Sequence, residues 1–207
     1  MRIAIIDDGL GNTGSVKSAL EFYRYDVRLI HEYADIDGAD LLILAGVGSF
    51  RTAVEQLRKR MLWKHLDNAV CLEHKPVLGI CLGMQLMASW GEEDGHTQGW
   101  GWIPGKVVRI PDTMVKVPHI GWNRVSPVTK NDVYFRGIRS GFFYFMHGYH
   151  FIPENPDHVI ATTGYGDMTL VAGVRNKNVV GLQFHPEKSQ GDGLRILRNV
   201  VEGLVCR

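Results

Sequence analysis

Short, fully apolar runs alternate with amphipathic stretches through the first half of the chain. Ile3 to Ile6 is bounded by Asp7, Asp8 and Gly9, Leu41 to Leu44 ends at Ala45-Gly46, and Val77 to Ile80 follows Pro76. Runs this short and this continuously apolar predict strands buried on both faces. Between them Val16, Ala19, Leu20 and Tyr23 recur at helical spacing, and Val27 to Ile30 reads as a further strand. Phe50 to Leu72 carries helical periodicity with many charges, and Leu82 to Trp90 predicts another helix. Strands alternating with helices across short turns predict a parallel sheet covered on both faces.

From about Gly99 to Phe184 the texture changes. Lys106 to Ile110, Phe142 to His147, Val159 to Thr163, Leu170 to Val174 and Val179 to Phe184 are short β-like runs separated by turn residues. They predict antiparallel hairpins that extend the sheet. Leu194, Leu197, Val201 and Leu204 then form the apolar stripe of a closing helix, with Asp192 near its start where the helix dipole favours an acid. The expectation is a single α/β domain over residues 1–207: an open, mostly parallel mixed sheet flanked by helices, with an antiparallel extension in the C-terminal half.

Composition narrows the classes. With 45% hydrophobic and 22% charged residues in 207, the chain has enough apolar surface for a core, which excludes wholesale disorder. Lys plus Arg number 23 against 22 for Asp plus Glu, a balance unlike that of proteins that wrap nucleic acid. No apolar run reaches the ~20 residues of a membrane span. Cys71, Cys81 and Cys206 form neither a disulfide framework nor a C-x-x-C pair, which suits a reducing, cytoplasmic compartment. The histidines are dispersed, no phosphate loop occurs, and neither metal nor cofactor is expected.

The chemistry concentrates at Cys81. An apolar strand runs into Gly79-Ile-Cys-Leu-Gly83 and a helical pattern follows, the G-x-C-x-G form of a nucleophile elbow. The nucleophile of such an elbow occupies a strained strand-to-helix turn, so its neighbours two residues away must be tiny. Its side chain then projects at the C-terminal edge of the sheet, where open α/β sheets place their sites. Cys71 lacks this frame and is expected to pack near a helix end; Cys206 is penultimate and is assigned no role. A thiol needs a base, and the base an orienting group. Phe184-His-Pro-Glu187 supplies both after an apolar strand: residues two apart point the same way along an extended chain, so Glu187 reaches the His185 ring.

With these motifs in hand, the chain resembles the class I (triad-type) glutamine amidotransferases over almost its whole length. Gly79 to Gln85 matches the family elbow, and Gly181-Leu-Gln-Phe-His-Pro-Glu-Lys-Ser189 its His-Pro-Glu segment. Val117-Pro-His-Ile-Gly-Trp-Asn123, Phe143-Tyr-Phe-Met-His147 and Asp7-x-Gly9-x-Gly11-Asn12 look most like the glutaminase subunits of imidazole glycerol phosphate synthases. The resemblance implies hydrolysis of L-glutamine to glutamate and ammonia through a thioester on Cys81, with His185 shuttling the proton and Glu187 orienting His185. It implies oxyanion donors at the Leu82 and Val47 main-chain N–H groups. Glutamine recognition would fall to Gly48, Gln85, Glu93 and the backbone of His147, Gly148 and Tyr149. Taken alone, Glu92-Glu93 reads as a solvated helix end, and His119 and His147 as structural.

Ammonia is protonated in neutral water and then ceases to be a nucleophile, so a synthetic glutaminase must pass it on under shelter. The resemblance supplies the receiver: a (β/α)₈-barrel cyclase, bound as a heterodimer, that makes imidazole glycerol phosphate and AICAR in histidine biosynthesis. Neither nucleic acid nor membrane is an expected partner. Asn12, Trp122, Asn123, Tyr144 and Lys188 match the docking face, although Trp122 and Tyr144 serve equally well as packed aromatics; Trp100 and Trp102 are assigned to packing. Four positions depart from the family pattern: Asp8, Thr13, Ala45 (usually proline) and Gly148 (commonly serine or threonine). The same triad also fits a paralogous glutaminase feeding another synthase, such as a surface-sugar amidating system. It fits a partner-free γ-glutamyl hydrolase as well. An inactive regulatory binding subunit is the reading against which the intact triad argues.

Overall fold

The computed structural model describes residues 1–7, 11–113 and 115–205. Asp8, Gly9 and Cys206 lie outside the described residues. The apolar runs form strands β1 (Arg2–Ile6), β2 (Asp26–Ile30), β3 (Leu41–Gly46) and β4 (Val77–Cys81), joined through helices α1 (Thr13–Glu21), α2 (Phe50–Lys59) and α3 (Leu62–Cys71). The short helix α4 (Leu82–Gln85) follows β4 directly, and α5 (Gln190–Val205) closes the chain. Between these two helices lie β5 (Trp90–Gly91), β6 (Thr97–Gln98), β7 (Gly105–Arg109), β8 (His119–Pro127) and β9 (Phe142–His147). They are followed by β10 (Tyr149–Pro153), β11 (Val159–Tyr165), β12 (Met168–Asn176) and β13 (Val179–Leu182). Among the described residues the main sheet has nine strands in the order β2-β1-β3-β4-β13-β12-β11-β8-β9. Pairings from β2 across to β13 are parallel; those from β13 out to β9 are antiparallel. A second, four-stranded sheet has the order β10-β7-β5-β6.

Every residue of β3 is buried, as its continuous apolar run requires. One side of the sheet packs Ile43 and Ile80 against Val16 and Leu20 of α1 and Leu197 and Val201 of α5. The other packs Leu42 and Leu44 against Phe50, Leu57 and Leu66 of α2 and α3 and against Val107 and Phe151 of the second sheet.

Three expectations change. The helical stretch from Phe50 to Leu72 is two helices. The buried stripe of α2 ends at Leu57, the next begins at Leu62, and that spacing breaks the 3.6-residue period. Met61 makes the break, with φ of 58°. The helix expected to reach Trp90 stops at Gln85, because the carbonyls of Leu86 and Ala88 accept the N–H groups of Trp100 and Gly101 instead of continuing the helix. Lys106 to Ile110 does not extend the main sheet: β7 pairs with β10 and β5.

Smaller features also settle. Asp192 does more than suit a dipole: its carboxylate accepts the N–H groups of Arg139, Ser140 and Gly141, tying that turn to α5, and these bonds hold its pKa down at about 2 against the effect of burial. Trp63, Trp100 and Trp102 stack in series at 4.0 and 4.3 Å, a packing role. Cys71 sits at the end of α3 but is exposed rather than packed.

Candidate active site

Three strand ends meet at one point. The β3–β4 register sets Gly46 beside Cys81, so the Val47-Gly48 turn and Cys81 line the same pocket. On the other flank, Leu182 of β13 pairs with Ile80, which carries Gln183 and then His185 past Cys81. A main-chain bond from the His185 N–H to the Tyr144 carbonyl (2.8 Å) pins His185 to β9.

Cys81 has φ 53° and ψ −106°, a region that L-residues rarely occupy. The elbow glycines are steric necessities. A Cβ on Gly79 would stand 2.6 Å from the backbone of Gly83, and one on Gly83 would stand 1.9 Å from the Leu44 carbonyl oxygen. The turn is thus squeezed between β3 and α4, and it presents Cys81 Sγ 3.9 Å from the Met146 carbonyl.

His185 Nδ1 lies 2.8 Å from Glu187 Oε1, and both side chains are fully buried. Asn12 Nδ2 donates to the same carboxylate oxygen at 2.6 Å. Ser189 Oγ braces the segment, donating to the His185 carbonyl at 2.6 Å while accepting the Tyr144 N–H. His185 Nε2 is buried without a protein hydrogen-bond partner. Burial opposes charge on this ring, but the Cys81 sulfur and the Glu187 carboxylate beside it outweigh that and push its pKa up to about 10.

In front of Cys81 opens a pocket of about 130 Å³ lined by Val47, Gly48, Leu82, Gln85, Glu93, Met146, His147, Gly148 and Tyr149. All the residues expected at the oxyanion and glutamine positions therefore line one cavity; Met146 joins them from β9. Glu93 is not on a helix end: it follows β5, and its carboxylate accepts the Phe50 N–H at 2.7 Å. Burial raises its pKa, and that bond works the other way. A Cβ on Gly148 would make only ordinary contact, at 3.7 Å from Val117. Larger hollows elsewhere, such as one of about 470 Å³ beside His31, Tyr33 and Met61, are lined by neither cysteine nor serine. Among the described residues no cluster of three or more His, Cys, Asp and Glu could hold a metal ion.

The residues expected on a docking face divide. Trp122 and Tyr144 pair across β8 and β9, their rings 6.1 Å apart, and Lys188 Nζ sits 6.0 Å over Tyr144. Trp122 is 47% exposed, alongside Ile120 at 58% and Phe142 at 43%, so it is no packed core aromatic. Asn123 turns to the opposite side of β8, where its amide donates to the Gly164 carbonyl at 2.6 Å and approaches His119 Nε2 at 3.4 Å. Asn12 turns inward to Glu187.

Sequence reasoning assigned no role to Gln183, which touches Cys81. Its signal was present: a polar residue inside the apolar run from Val179 to Phe184, immediately before the base.

An elbow cysteine that opens on a pocket, with a buried His–Glu pair beside it, defines a cysteine-dependent amidotransferase or hydrolase of the α/β type. The chain belongs to the class-I glutamine amidotransferase family, whose profile it matches over residues 4–203. Among its relatives, imidazole glycerol phosphate synthase subunit HisH of Syntrophotalea carbinolica is 43% identical, covering 95% of this chain and 98% of that protein. The same subunit of Pyrococcus furiosus is 42% identical, covering 96% and 97%. Solved structures agree on the fold: a glutamine amidotransferase superposes with TM-score 0.78 at 19% identity over 99% of both chains. PurLQS from Thermotoga maritima gives 0.73 at 18% over 98% of both.

Proposed function

We propose that this chain is the glutaminase subunit of an imidazole glycerol phosphate synthase in histidine biosynthesis. The observation that carries the reading is the convergence of Cys81, the His185–Glu187 pair and the lined pocket, in a chain more than 40% identical to such subunits.

In this reading glutamine enters with its side-chain amide over Cys81. His185 takes the thiol proton, and the sulfur attacks the amide carbon. The oxygen gains charge and is met by the Leu82 and Val47 N–H groups. The tetrahedral adduct collapses as His185 gives the proton to the leaving nitrogen. Ammonia departs and a glutamyl thioester remains. Water, deprotonated by His185, then releases glutamate and restores the thiol. Glu187 stabilises the imidazolium formed in each half-reaction, and Asn12 fixes Glu187.

The ammonia would leave toward a (β/α)₈-barrel cyclase. The face that supports this docking is the outer side of β8 and β9, where Ile120, Trp122, Phe142 and Tyr144 make an apolar patch beside His185. Aromatic residues of this kind suit an interface core. No helix among the described residues is long and apolar enough to cross a membrane, and the reading places the enzyme in the cytoplasm.

The test is glutamine turnover of the pure chain, with and without a histidine-pathway barrel cyclase and its phosphoribosyl ligand. A rise of orders of magnitude with the liganded partner supports the reading. Turnover indifferent to that partner moves the chain to another synthase or to free hydrolysis; no turnover under any condition leaves only a binding role.

A further inference from the structure

The Gln183 side chain is fully buried and lies between Cys81 and Gln85. Its Nε2 is 3.7 Å from Cys81 Sγ, and its Oε1 is 3.2 Å from Gln85 Nε2. Gln85 Nε2 in turn donates to the Tyr149 carbonyl at 3.0 Å. That carbonyl fixes the direction of everything behind it. A main-chain oxygen only accepts, so Gln85 must present its NH₂ there. The same NH₂ faces Gln183, which must answer with its oxygen. The remaining end of Gln183, turned to Cys81, is therefore its NH₂. The amide orientations follow from connectivity.

The carbonyl is itself held from the other side. His147 Nδ1 meets it at 2.7 Å, and His119 Nδ1 meets His147 Nε2 at 3.2 Å. Because Tyr149 O only accepts, the proton is on His147 Nδ1. His147 Nε2 then accepts from His119 Nδ1, leaving His119 Nε2 to accept from Asn123.

We propose that Gln183 is a catalytic residue of this site, donating an N–H to the Cys81 sulfur, and that Gln85 is its positioning residue as well as part of the glutamine pocket. The proposal rests on Cys81 being the nucleophile. Sulfur carries negative charge before attack and again when the thioester breaks, in a pocket whose other near neighbours include Leu82 and Met146. One N–H aimed at it stabilises that charge and restricts where the sulfur points. The main-chain N–H of Gln183 is tied to the Ala172 carbonyl at 3.0 Å, so the donor is anchored to β12 of the main sheet.

The experiment is alkylation of Cys81 by iodoacetamide, followed by mass, alongside glutamine kinetics and thermal melting. Alkylation needs no glutamine and no partner. A wild-type chain alkylated at Cys81 but inert toward glutamine would sink the functional reading while still testing this one. Gln183→Met, similar in length and without a donor, should slow alkylation by about 10- to 100-fold, the range of one hydrogen bond to a charged group, and lower kcat more than it raises KM. Gln183→Glu keeps the acceptor for Gln85 but donates to sulfur only while protonated, so its alkylation should weaken as pH rises, opposite to wild type. This second variant decides the matter if the first fails to fold. Gln85→Met should slow alkylation too; a residue that only bound glutamine would raise KM and leave alkylation unchanged. A folded Gln183→Met chain with wild-type alkylation and kcat, or a Gln183→Glu chain with the wild-type pH trend, overturns the proposal.

Discussion

His119 Nδ1 lies 3.2 Å from His147 Nε2 in a buried ring-to-ring contact. Tyr165 and Phe145 stack on His119 at 4.0 and 4.7 Å, so protonation has little room to be solvated. Burial lowers the pKa of His119 to about 4. Burial, opposed by the bond to the Tyr149 carbonyl and aided by the neighbouring histidines, lowers that of His147 to about 3.

Acid should destabilise the fold through this pair. The unfolded rings take protons near pH 6.5, while the folded rings stay neutral down to about 4 and about 3. The unfolded chain thus binds more protons in that window. Stability is full above it and falls with pH by at most ~1.4 kcal/mol per pH unit per ring. His119→Phe, which keeps a stacking ring, should show a shallower acid limb in urea unfolding. Parallel limbs for the two chains would refute the assignment.

Cys81 stores strain. Its positive φ costs about 1–3 kcal/mol in a residue with a Cβ. Cys81→Gly should raise stability in urea unfolding by about 1 kcal/mol while abolishing glutamine turnover. Cys81→Ala should abolish turnover without the gain. Equal midpoints for the glycine and alanine variants would show the elbow is unstrained.

One methyl group should act in opposite senses at two glycines. Gly14 lies in α1, where an added methyl would have nothing within 4 Å, so Gly14→Ala should stabilise by about 0.5–1 kcal/mol. Gly83→Ala drives a Cβ into the Leu44 carbonyl and should cost about 3 kcal/mol or more, seen in melting temperature and in loss of turnover.

Ala45 sits buried near the end of β3, just before the Gly46-Val47-Gly48 turn. Proline there would fix one φ and stiffen entry to the turn proposed to carry an oxyanion donor. Ala45→Pro should lower partner-free glutaminase turnover several-fold. Unchanged basal turnover in a folded variant would show that Ala45 does not set the basal rate.

Trp122 is the largest of the exposed aromatics on the β8–β9 face, with Phe142 beside it. If that face docks the cyclase, Trp122→Ala should weaken the complex by about 2 kcal/mol, or ~30-fold in Kd by calorimetry. An unaltered Kd would place the interface elsewhere.

Much of this was legible along the chain. Unbroken apolar runs named β1, β3, β4 and β13, because a strand buried on both faces leaves no polar alternation. The elbow and His185–Glu187 were legible because a strained turn and a two-residue reach are local constraints. β8 and β10 were not, since Gly121, Asn123 and Pro153 dilute their patterns and pairing with β9 and β7 stabilises them. The helix after Cys81 was overextended because Leu86 to Ala88 are as buried as helix residues. Their carbonyls, though, serve a loop farther along the chain.

The sequence alone pointed to Cys81 and His185 as candidate nucleophile and base, to the parallel half of the sheet and to the family, all of which rest on spacings of a few residues. Tertiary structure decided that Asn12 serves Glu187, that Asn123 faces inward while Trp122 faces out, and that Gln183 reaches the sulfur. Each of these depends on strand register and on which of two faces a side chain takes. Hydrogen bonds between residues 28 to 175 positions apart leave no periodic trace in the chain that makes them.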